Sequence, residues 1–468
     1  GEQAAIIALI VAFIMTLVTK VPLDQIANQG LLAAWKMACL PMAVMILFNL
    51  LCGVPAQTHV RRLIVWRLTC AAQSLEAGAH DPETTALLAE GNDTPRKQMQ
   101  LVRALHLVPK TVSSWLSGAL ETSYLLMLAA PVPQAALPAA RRHALATAIR
   151  DAAHAIAHGD TPGMPQVTDG PEIDRPIREA LAALAGPEGG TLPEREAQPF
   201  LAPDAFSDPR HHRYAIKTSV SAVICYLIYT GLQWDGIHTA LITCYVAALG
   251  TTGETVRKLT LRIIGCLIGA ALGCAALIFV MPWLTSVGGL MILVFCGILI
   301  AGWVSSGSER ISYGGVQIAL AFLLTTLNGF GPSFEFSQAG NRVMGILLGL
   351  FVIYVIFTQF WPASISRQIR TELGDIAERL LQLAERPWHA RLNDLTDGAH
   401  INMALEDIRT AINMASFEPR HQRADEAMLA KYREARCTLA ALYRSIRFEP
   451  VVSEKSFEQL RRYHEASR

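Results

Sequence analysis

Two arginines each begin a series of small residues inside a long apolar run of the sequence. One series starts at Arg262 and the other at Arg342. A guanidinium binds a carboxylate through two parallel hydrogen bonds, so each arginine is a candidate binding site for an organic anion. The alternative is that each arginine anchors its helix at a membrane interface. The small residues that follow at offsets of 3, 7 and 11 are Gly265, Gly269 and Gly273 after Arg262, and Gly345 and Gly349 after Arg342.

These offsets place each arginine and its glycines on one face of a helix. Small residues allow membrane helices to approach closely, so this face is expected to pack against another helix rather than against lipid. Two polar stripes repeat every four residues nearby: Tyr313 and Gln317 lead one, and Thr239 and Thr243 lead the other. Polar stripes on membrane helices face the bundle interior or a cavity. They indicate a substrate path, and helix packing alone is the alternative.

Three residues are candidates for coupling transport to protons. Asp235 and His238 lie one helical turn apart, a spacing that suits a proton relay. Asp235 is alternatively the N-cap of a helix beside Trp234. Glu254 follows Thr251 at the spacing of a capping box, which is the alternative for its carboxylate.

Other chemistry has little support in the sequence. His154 and His158 have a metal-binding spacing but no third ligand nearby, so no metal or cofactor is expected. We find no Walker A, HExxH or GxSxG motif, which argues against ATP as the motor and against an enzyme. The net charge of +1 also argues against a nucleic-acid partner.

The composition indicates a chain that is partly in a membrane. Of its 468 residues, 52% are hydrophobic and 17% are charged, whereas soluble domains usually contain about 25% charged residues. A bilayer requires about 20 apolar helical residues per crossing. Eight runs approach this length: 4–19, 31–53, 214–231, 236–252, 260–281, 287–304, 312–328 and 339–361.

Four regions follow from these runs: two membrane helices in 1–53, a cytoplasmic helical domain in 54–210, a six-helix block in 211–362 and a cytoplasmic helical tail in 363–468. Lysine and arginine cluster in alternate loops of the block, which places both of its ends in the cytoplasm. The run 111–129 is interrupted by polar residues and is expected to be a soluble core helix. Since the two arginine helices lie three helices apart, the block is expected to be a three-plus-three inverted repeat.

Three stretches resemble the fusaric acid resistance, or aromatic acid exporter, family. They are Thr239 to Gly273 (TALITCYVAALGTTGETVRKLTLRIIGCLIGAALG), Gly340 to Gly349, and Phe417-Glu418-Pro419-Arg420. The order of membrane block, helical domain, membrane block and helical tail is similar to that family too. Members carry a larger first block, so we expect the first few membrane helices to be missing and the sequence to begin inside a longer protein.

The apolar runs and the helical patterns between them predict an all-α fold. The resemblance implies a multi-pass protein of a bacterial inner membrane that exports aromatic carboxylic acids or related toxic organic anions, driven by the proton gradient. It also implies a periplasmic membrane-fusion adaptor and an outer-membrane channel as partners, and we expect a homo-oligomer in the lipid bilayer. Two alternatives stay open. One is a passive organic-anion channel, and the other is a structural membrane protein that recruits partners through its cytoplasmic helices.

Overall fold

The described part of the chain folds almost entirely into α-helices, which confirms the all-α prediction. A computed structural model describes residues 25–79, 81–104, 108–190, 206–237, 239–247, 251–307, 309–328, 331–332, 336–361, 364–419 and 423–467. The one strand pairing in these ranges is a two-residue antiparallel ladder between Leu327–Asn328 and Gly331–Pro332. The run 4–19, expected to be a membrane helix, lies outside the described residues.

The described helices are α1 (Gln25–Cys52), α2 (Ala56–Ala77), α3 (Pro82–Glu90), α4 (Asp93–Ala104), α5 (Lys110–Ala129), α6 (Ala139–His158), α7 (Arg175–Ala185), α8 (Pro209–Gly231), α9 (Thr239–Ala247), α10 (Thr252–Ala275), α11 (Val287–Ser306), α12 (Glu309–Thr326), α13 (Phe336–Gln359), α14 (Ile365–Ala384), α15 (Trp388–Asn393), α16 (Leu395–Met414), α17 (Glu426–Phe448) and α18 (Glu454–Ser467).

The helices form two compact units. The membrane unit comprises 198–367 and 413–424, with the start of α1, and the helical unit comprises 31–197, 368–412 and 425–468. The helical unit thus combines the middle of the chain with most of the tail, two regions that the sequence analysis separates. The four-part division of the sequence itself stays a prediction.

The core of the helical unit is built around α2 and α5. Val60, Ile64 and Leu68 recur every four residues on α2 and are fully buried, as the period of an amphipathic helix requires. On α5, the buried Glu121 accepts hydrogen bonds from Asn92 (2.9 Å) and Arg96 (2.6 Å). These bonds satisfy the carboxylate inside the unit. The run 111–129 is therefore a core helix, as predicted.

Two described helices are long and apolar enough to cross a bilayer. One is α10 with its continuation to Trp283, and the other is α11. The 20 residues of α11 extend about 30 Å, which matches the hydrocarbon thickness. Cys39–Cys52 and Ala56–Ala77, which meet at a 61° bend, count as a third span if they are taken together. Helices also lie at the other expected runs from 214 onward, and their crossing of the membrane stays a prediction.

The outer surface of α11 is consistent with contact with lipid. Val287, Met291, Phe295, Leu299 and Trp303 repeat every four residues along it, and all five are exposed. By contrast, Gly297 and Ala301 are buried. One face of α11 therefore packs within the unit, and the opposite face presents a continuous apolar ridge.

At the end of α10 the helix changes its hydrogen bonding. Residues Ala276–Val280 form a π turn, followed by a 3₁₀ turn at Met281–Trp283. A π turn contains more residues than an α turn, so it shifts the angular positions of the side chains that follow. The glycines of α10 all lie before this turn, so they stay on one face of a regular α-helix.

The two glycine faces pack against the two polar stripes. A Cβ added at Gly269 would lie 2.7 Å from Ala321 Cβ on α12, and one added at Gly273 would lie 2.7 Å from Thr325 Cβ. On α13, a Cβ at Gly349 would lie 2.9 Å from Thr243 Cβ on α9. These separations are below normal carbon–carbon contact, so the helices approach as closely as glycine permits.

This packing is reciprocal between the two halves of the six-helix block. The third helix of the first half, α10, packs on the second helix of the other half, α12. The third helix of the second half, α13, packs in the same way on α9. A three-plus-three inverted repeat predicts this arrangement, because its two-fold axis would superimpose the contact between α10 and α12 on the contact between α13 and α9.

We expect Gly269→Ala to weaken the contact between α10 and α12. The new methyl group would lie 2.4 Å from the Ile318 carbonyl oxygen, which belongs to a helical backbone and has little freedom to move. Overpacking of this kind costs about 1–3 kcal/mol. The measurement is the thermal melting midpoint in detergent micelles. Gly302→Ala on the exposed face of α11 is the control, because a Cβ there meets nothing within 4 Å. Equal melting midpoints for the two variants would contradict the packing described here.

Candidate functional site

Arg262 lies inside the membrane unit with its guanidinium between three helices. It is 7% exposed. Its Nη1 donates to Tyr313 Oη on α12 (3.1 Å), and its Nη2 donates to Thr243 Oγ1 on α9 (3.2 Å). Its Nε is buried with no hydrogen-bond partner among the described residues. This placement favours the anion-site hypothesis over an anchor in the interface, because an interfacial arginine extends toward the headgroups.

No carboxylate of the described residues forms a salt bridge with Arg262. The groups that bond Arg262 are neutral hydroxyls, whereas other arginines, such as Arg141 and Arg178, form ion pairs with Asp174. A charge buried without an opposite charge is costly unless a ligand supplies one. Arg262 is thus a buried cation whose hydrogen-bond partners among the described residues are neutral hydroxyls.

The two polar stripes meet at this arginine. Thr243 Oγ1 donates to the Thr239 carbonyl (2.8 Å) while it accepts from Arg262. Gln317 is 3% exposed and accepts a long hydrogen bond from Cys266 Sγ (3.8 Å). Thr239 Oγ1 is buried and has no partner among the described residues. The structure thus brings Tyr313, Thr243 and Arg262 together, and it places Gln317 and Thr239 on the neighbouring turns of the same two helices.

The second arginine lies near the start of α13. The backbone of Arg342 belongs to α13, one residue after Asn341, and Asn341 Oδ1 accepts a hydrogen bond from Trp234 Nε1 (3.1 Å). Asp235 follows Trp234 in a 3₁₀ turn at Asp235–Ile237. The side chains of Arg342 and Asp235, and all of His238, lie outside the described residues. Their roles stay predictions.

Glu254 forms a capping box at the start of α10. Thr251 N donates to Glu254 Oε2 (3.3 Å), and Glu254 N donates to Thr251 Oγ1 (3.3 Å). This is the alternative that the spacing predicted, and it accounts for the carboxylate without any titration during transport. A role for Glu254 in proton coupling stays a prediction.

Further positive charge lies one turn from Arg262 toward the start of α10. The Lys258 ammonium lies 5.2 Å from the centre of the Tyr313 ring. Arg257 Nη1 contacts Met414 Sδ (3.2 Å), and its guanidinium lies 6.0 Å from the Phe417 ring. Arg257, Lys258 and Arg262 thus place three cations on two turns of one helix.

The sequence analysis does not predict two features of the membrane unit. Lys217 is 6% exposed, and its Nζ donates to the Trp361 carbonyl (2.7 Å) beyond the end of α13. The charge pattern indicates only a basic loop around Lys217, whereas the residue lies within α8. The second feature is a pair of cysteines on α8 and α9, described below. The sequence does contain a signal for that pair, because Cys225 and Cys244 lie almost equally far from the turn that joins the two helices.

The Phe417–Pro419 segment packs on the same end of α10. Glu418 is 4% exposed, and its Oε1 accepts a hydrogen bond from Ile365 N (2.8 Å), the first residue of α14. Its Oε2 is buried without a partner among the described residues. Burial raises the pKa of Glu418, and the hydrogen bond from Ile365 only partly opposes this. Glu418 thus caps one helix while it lies against the start of another.

The histidine pair shows no sign of a metal site. His158 Nδ1 contacts the His154 carbonyl (2.9 Å), and the two rings lie 4.3 Å apart at the end of α6. Within the described ranges, no three histidine, cysteine or acidic side chains come together in a way that would hold a metal ion.

The comparison with known families covers this site and the segment beyond it. Residues 211–450 match the fusaric acid resistance protein family, which is just over half of the chain. The chain belongs to that family. The matched range contains α8 from its third residue and all of α9 to α17, and therefore both glycine faces, both polar stripes and Glu418. The resemblance inferred from the sequence is confirmed.

Curated relatives match over a similar length. The chain is 34% identical over 231 residues to multidrug resistance protein MdtO of Escherichia coli strain K12, and 33% identical over 231 residues to MdtO of Shigella flexneri. The match covers 49% of this chain and 34% of each MdtO protein. Inner membrane protein YccS of Escherichia coli strain K12 is 29% identical over 207 residues, which cover 40% of this chain and 27% of YccS. The chain thus matches about a third of the length of its MdtO relatives.

We expect Glu418→Gln to change how stability depends on pH. Because the folded pKa is raised above 4.5, stability from the protonated carboxyl is present at low pH and is lost as pH rises through the folded pKa. Glutamine keeps an acceptor for Ile365 N and carries no charge. The variant should therefore melt above the wild type at pH 8, and the difference should shrink toward pH 5.

The control for this prediction is Glu418→Ala, which removes the acceptor. Loss of a helix cap costs about 1 kcal/mol, so this variant should melt below Glu418→Gln at both pH values. The measurement is the melting midpoint in detergent micelles. Identical pH profiles for the wild type and Glu418→Gln would show that the carboxylate is not buried as described.

Proposed function

We propose that this protein exports organic anions, with aromatic carboxylic acids as the substrate class, across a bacterial inner membrane. The observation that carries the proposal is the buried guanidinium of Arg262, which has hydroxyl partners and no carboxylate partner among the described residues. The relatives support a transport role, since the name of MdtO denotes multidrug resistance and that of YccS an inner membrane protein.

On binding, the charged carboxylate of the substrate would replace neutral hydroxyl groups as the partner of Arg262. A substrate carboxylate would accept hydrogen bonds from the guanidinium in place of the hydroxyl oxygens of Tyr313 and Thr243. A guanidinium and a carboxylate carry opposite charges and can form two parallel hydrogen bonds, so this pair is stronger than a guanidinium with a neutral hydroxyl. The released hydroxyls can then donate to the same carboxylate, because each hydroxyl is both a donor and an acceptor.

The positive end of α10 would guide the anion to this point. Arg257 and Lys258 lie one turn before Arg262, where the charge rule places the cytoplasmic side. A low-dielectric wall of helices strengthens the attraction between these cations and an approaching anion. Arg342, at the equivalent position of the second half, would form the corresponding site near the outer end. An anion would then move between two arginines related by the repeat.

Proton coupling belongs to the same proposal. Asp235 and His238 are the candidates at the outer end, and Glu254 is the candidate at the inner end. The capping box of Glu254 makes the outer pair the stronger candidates, because a residue that caps a helix loses that interaction when it is protonated. A periplasmic membrane-fusion adaptor, an outer-membrane channel and a homo-oligomer are the expected partners. The middle and tail helices would be cytoplasmic.

We expect Arg262→Gln to raise the KM for a labelled hydroxybenzoate by about tenfold or more. This follows from the loss of a charge-assisted hydrogen bond worth about 1.5–3 kcal/mol. The measurement is uptake into inside-out inner-membrane vesicles that contain the full-length gene product. Arg262→Lys should show an intermediate KM, because it keeps the charge and loses the planar geometry.

The control variant is Arg213→Gln, which removes an exposed cation at the start of α8 and should leave KM unchanged. An uncoupler that collapses the proton gradient should stop uptake by the wild type. Uptake that persists down the substrate gradient would indicate a channel. Wild-type uptake with an unchanged KM in Arg262→Gln would contradict the assignment of the site.

A further inference from the structure

Two cysteines face each other inside the membrane unit. Cys225 on α8 and Cys244 on α9 are both fully buried, and their Sγ atoms lie 3.5 Å apart. Buried apolar residues surround them, among them Ala222, Ala240 and Ile353. Each thiol thus lies within contact distance of the other in a largely apolar environment.

The connection between the two helices brings these sulfurs together. α8 ends at Gly231 and α9 begins at Thr239, so the helices are joined by a short segment. Cys225 lies six residues before the end of α8, and Cys244 lies five residues after the start of α9. In two adjacent helices joined this way, positions equally far from the turn lie at the same depth. The pairing is therefore built into the hairpin.

We propose that Cys225 and Cys244 are a disulfide-forming pair that joins α8 to α9 on oxidation. A disulfide bond is about 2.05 Å long, so the sulfurs need to approach by about 1.5 Å. A lipid-permeant two-electron oxidant of the diazene or quinone class would take one hydrogen from each thiol. The two sulfurs then form the S–S bond, and the oxidant leaves as the hydrazine or the hydroquinone.

The disulfide would affect the arginine site because Cys244 is the chain neighbour of a residue that bonds Arg262. Thr243, the residue before Cys244, carries the hydroxyl that accepts from Arg262 Nη2. A disulfide would hold this part of α9 against α8 and restrict the movement of Thr243 relative to α10. The expected slowing of transport rests on the proposed function, whereas formation of the disulfide does not.

The sequence contains no lysine or arginine between Lys217 and Arg257. Trypsin therefore leaves both cysteines on one peptide, 218–257. Membranes containing the full-length protein are treated with diamide, denatured in N-ethylmaleimide and digested. We expect the peptide to lose both alkyl groups together and to regain both after reduction with a phosphine. Chymotryptic cleavage near Trp234 should then give two fragments that separate only after reduction.

Two variants complete the experiment. In Cys225→Ser, Cys244 should stay open to alkylation after diamide treatment. Cys296→Ser, which removes an exposed cysteine on α11, should behave as the wild type. The proposal is overturned if the wild-type peptide keeps both alkyl groups, or if either cysteine forms its disulfide with another peptide.

Vesicle uptake gives the second measurement. Diamide should slow hydroxybenzoate uptake several-fold in the wild type, reversibly, and should not slow it in Cys225→Ser. Oxidised protein that transports at the reduced protein's rate would overturn the effect on the arginine site. If no variant transports hydroxybenzoate, the substrate proposal fails, and the alkylation pattern alone decides whether the disulfide site exists.

Discussion

The membrane unit depends on the close approach of two pairs of helices. Where α10 meets α12 and where α13 meets α9, glycine on one helix lies against a stripe of small and polar residues on the other. Lipid tails are as apolar as leucine, so the hydrophobic effect contributes little to helix association inside a bilayer. Van der Waals contact at glycine faces has to supply the attraction. The polar stripes can be buried only because these faces bring them out of contact with lipid.

The position of Arg262 follows from the same contacts. The arginine lies one turn before the first glycine of its series, at the point where α9, α10 and α12 come within reach of one side chain. A wider separation of α10 and α12 would open the guanidinium to lipid and remove Tyr313 as a partner. The surroundings of Arg262 are thus a consequence of glycine packing along the same helix. The second half repeats the helix packing around α13 and α9.

Helical periodicity is sufficient to predict which residues share a face. The glycine series and the polar stripes follow from offsets of three and four, and the structure shows both on helices. Periodicity does not tell which face meets which, because that depends on the order of helices in space. The pairing of Gly269 with Ala321 and of Gly349 with Thr243 is therefore visible only in three dimensions. The same holds for Lys217, since its carbonyl partner at Trp361 lies far away along the chain.

Composition is a poorer guide to the compact units. The middle of the chain and the tail are both polar and helical, and nothing in either sequence shows that they belong to one unit. By contrast, the turn between α8 and α9 determines which residues face each other across it. A symmetric count outward from that turn pairs Cys225 with Cys244 to within one residue, with no other information. Which residues face each other across a short connection can therefore be predicted from the sequence, whereas contacts between distant segments cannot.

The π turn at Ala276–Val280 allows the C-terminal continuation of α10 to vary in length. An α-helix that loses one residue rotates everything beyond the deletion by about 100°, which disrupts a packed face. A π turn already contains the extra residue, so a single deletion within it would convert the turn to regular α-helix. The residues from Arg262 to Gly273 would keep their angular positions. Homologous proteins can therefore differ by one residue here while retaining the same helix contacts between Arg262 and Gly273.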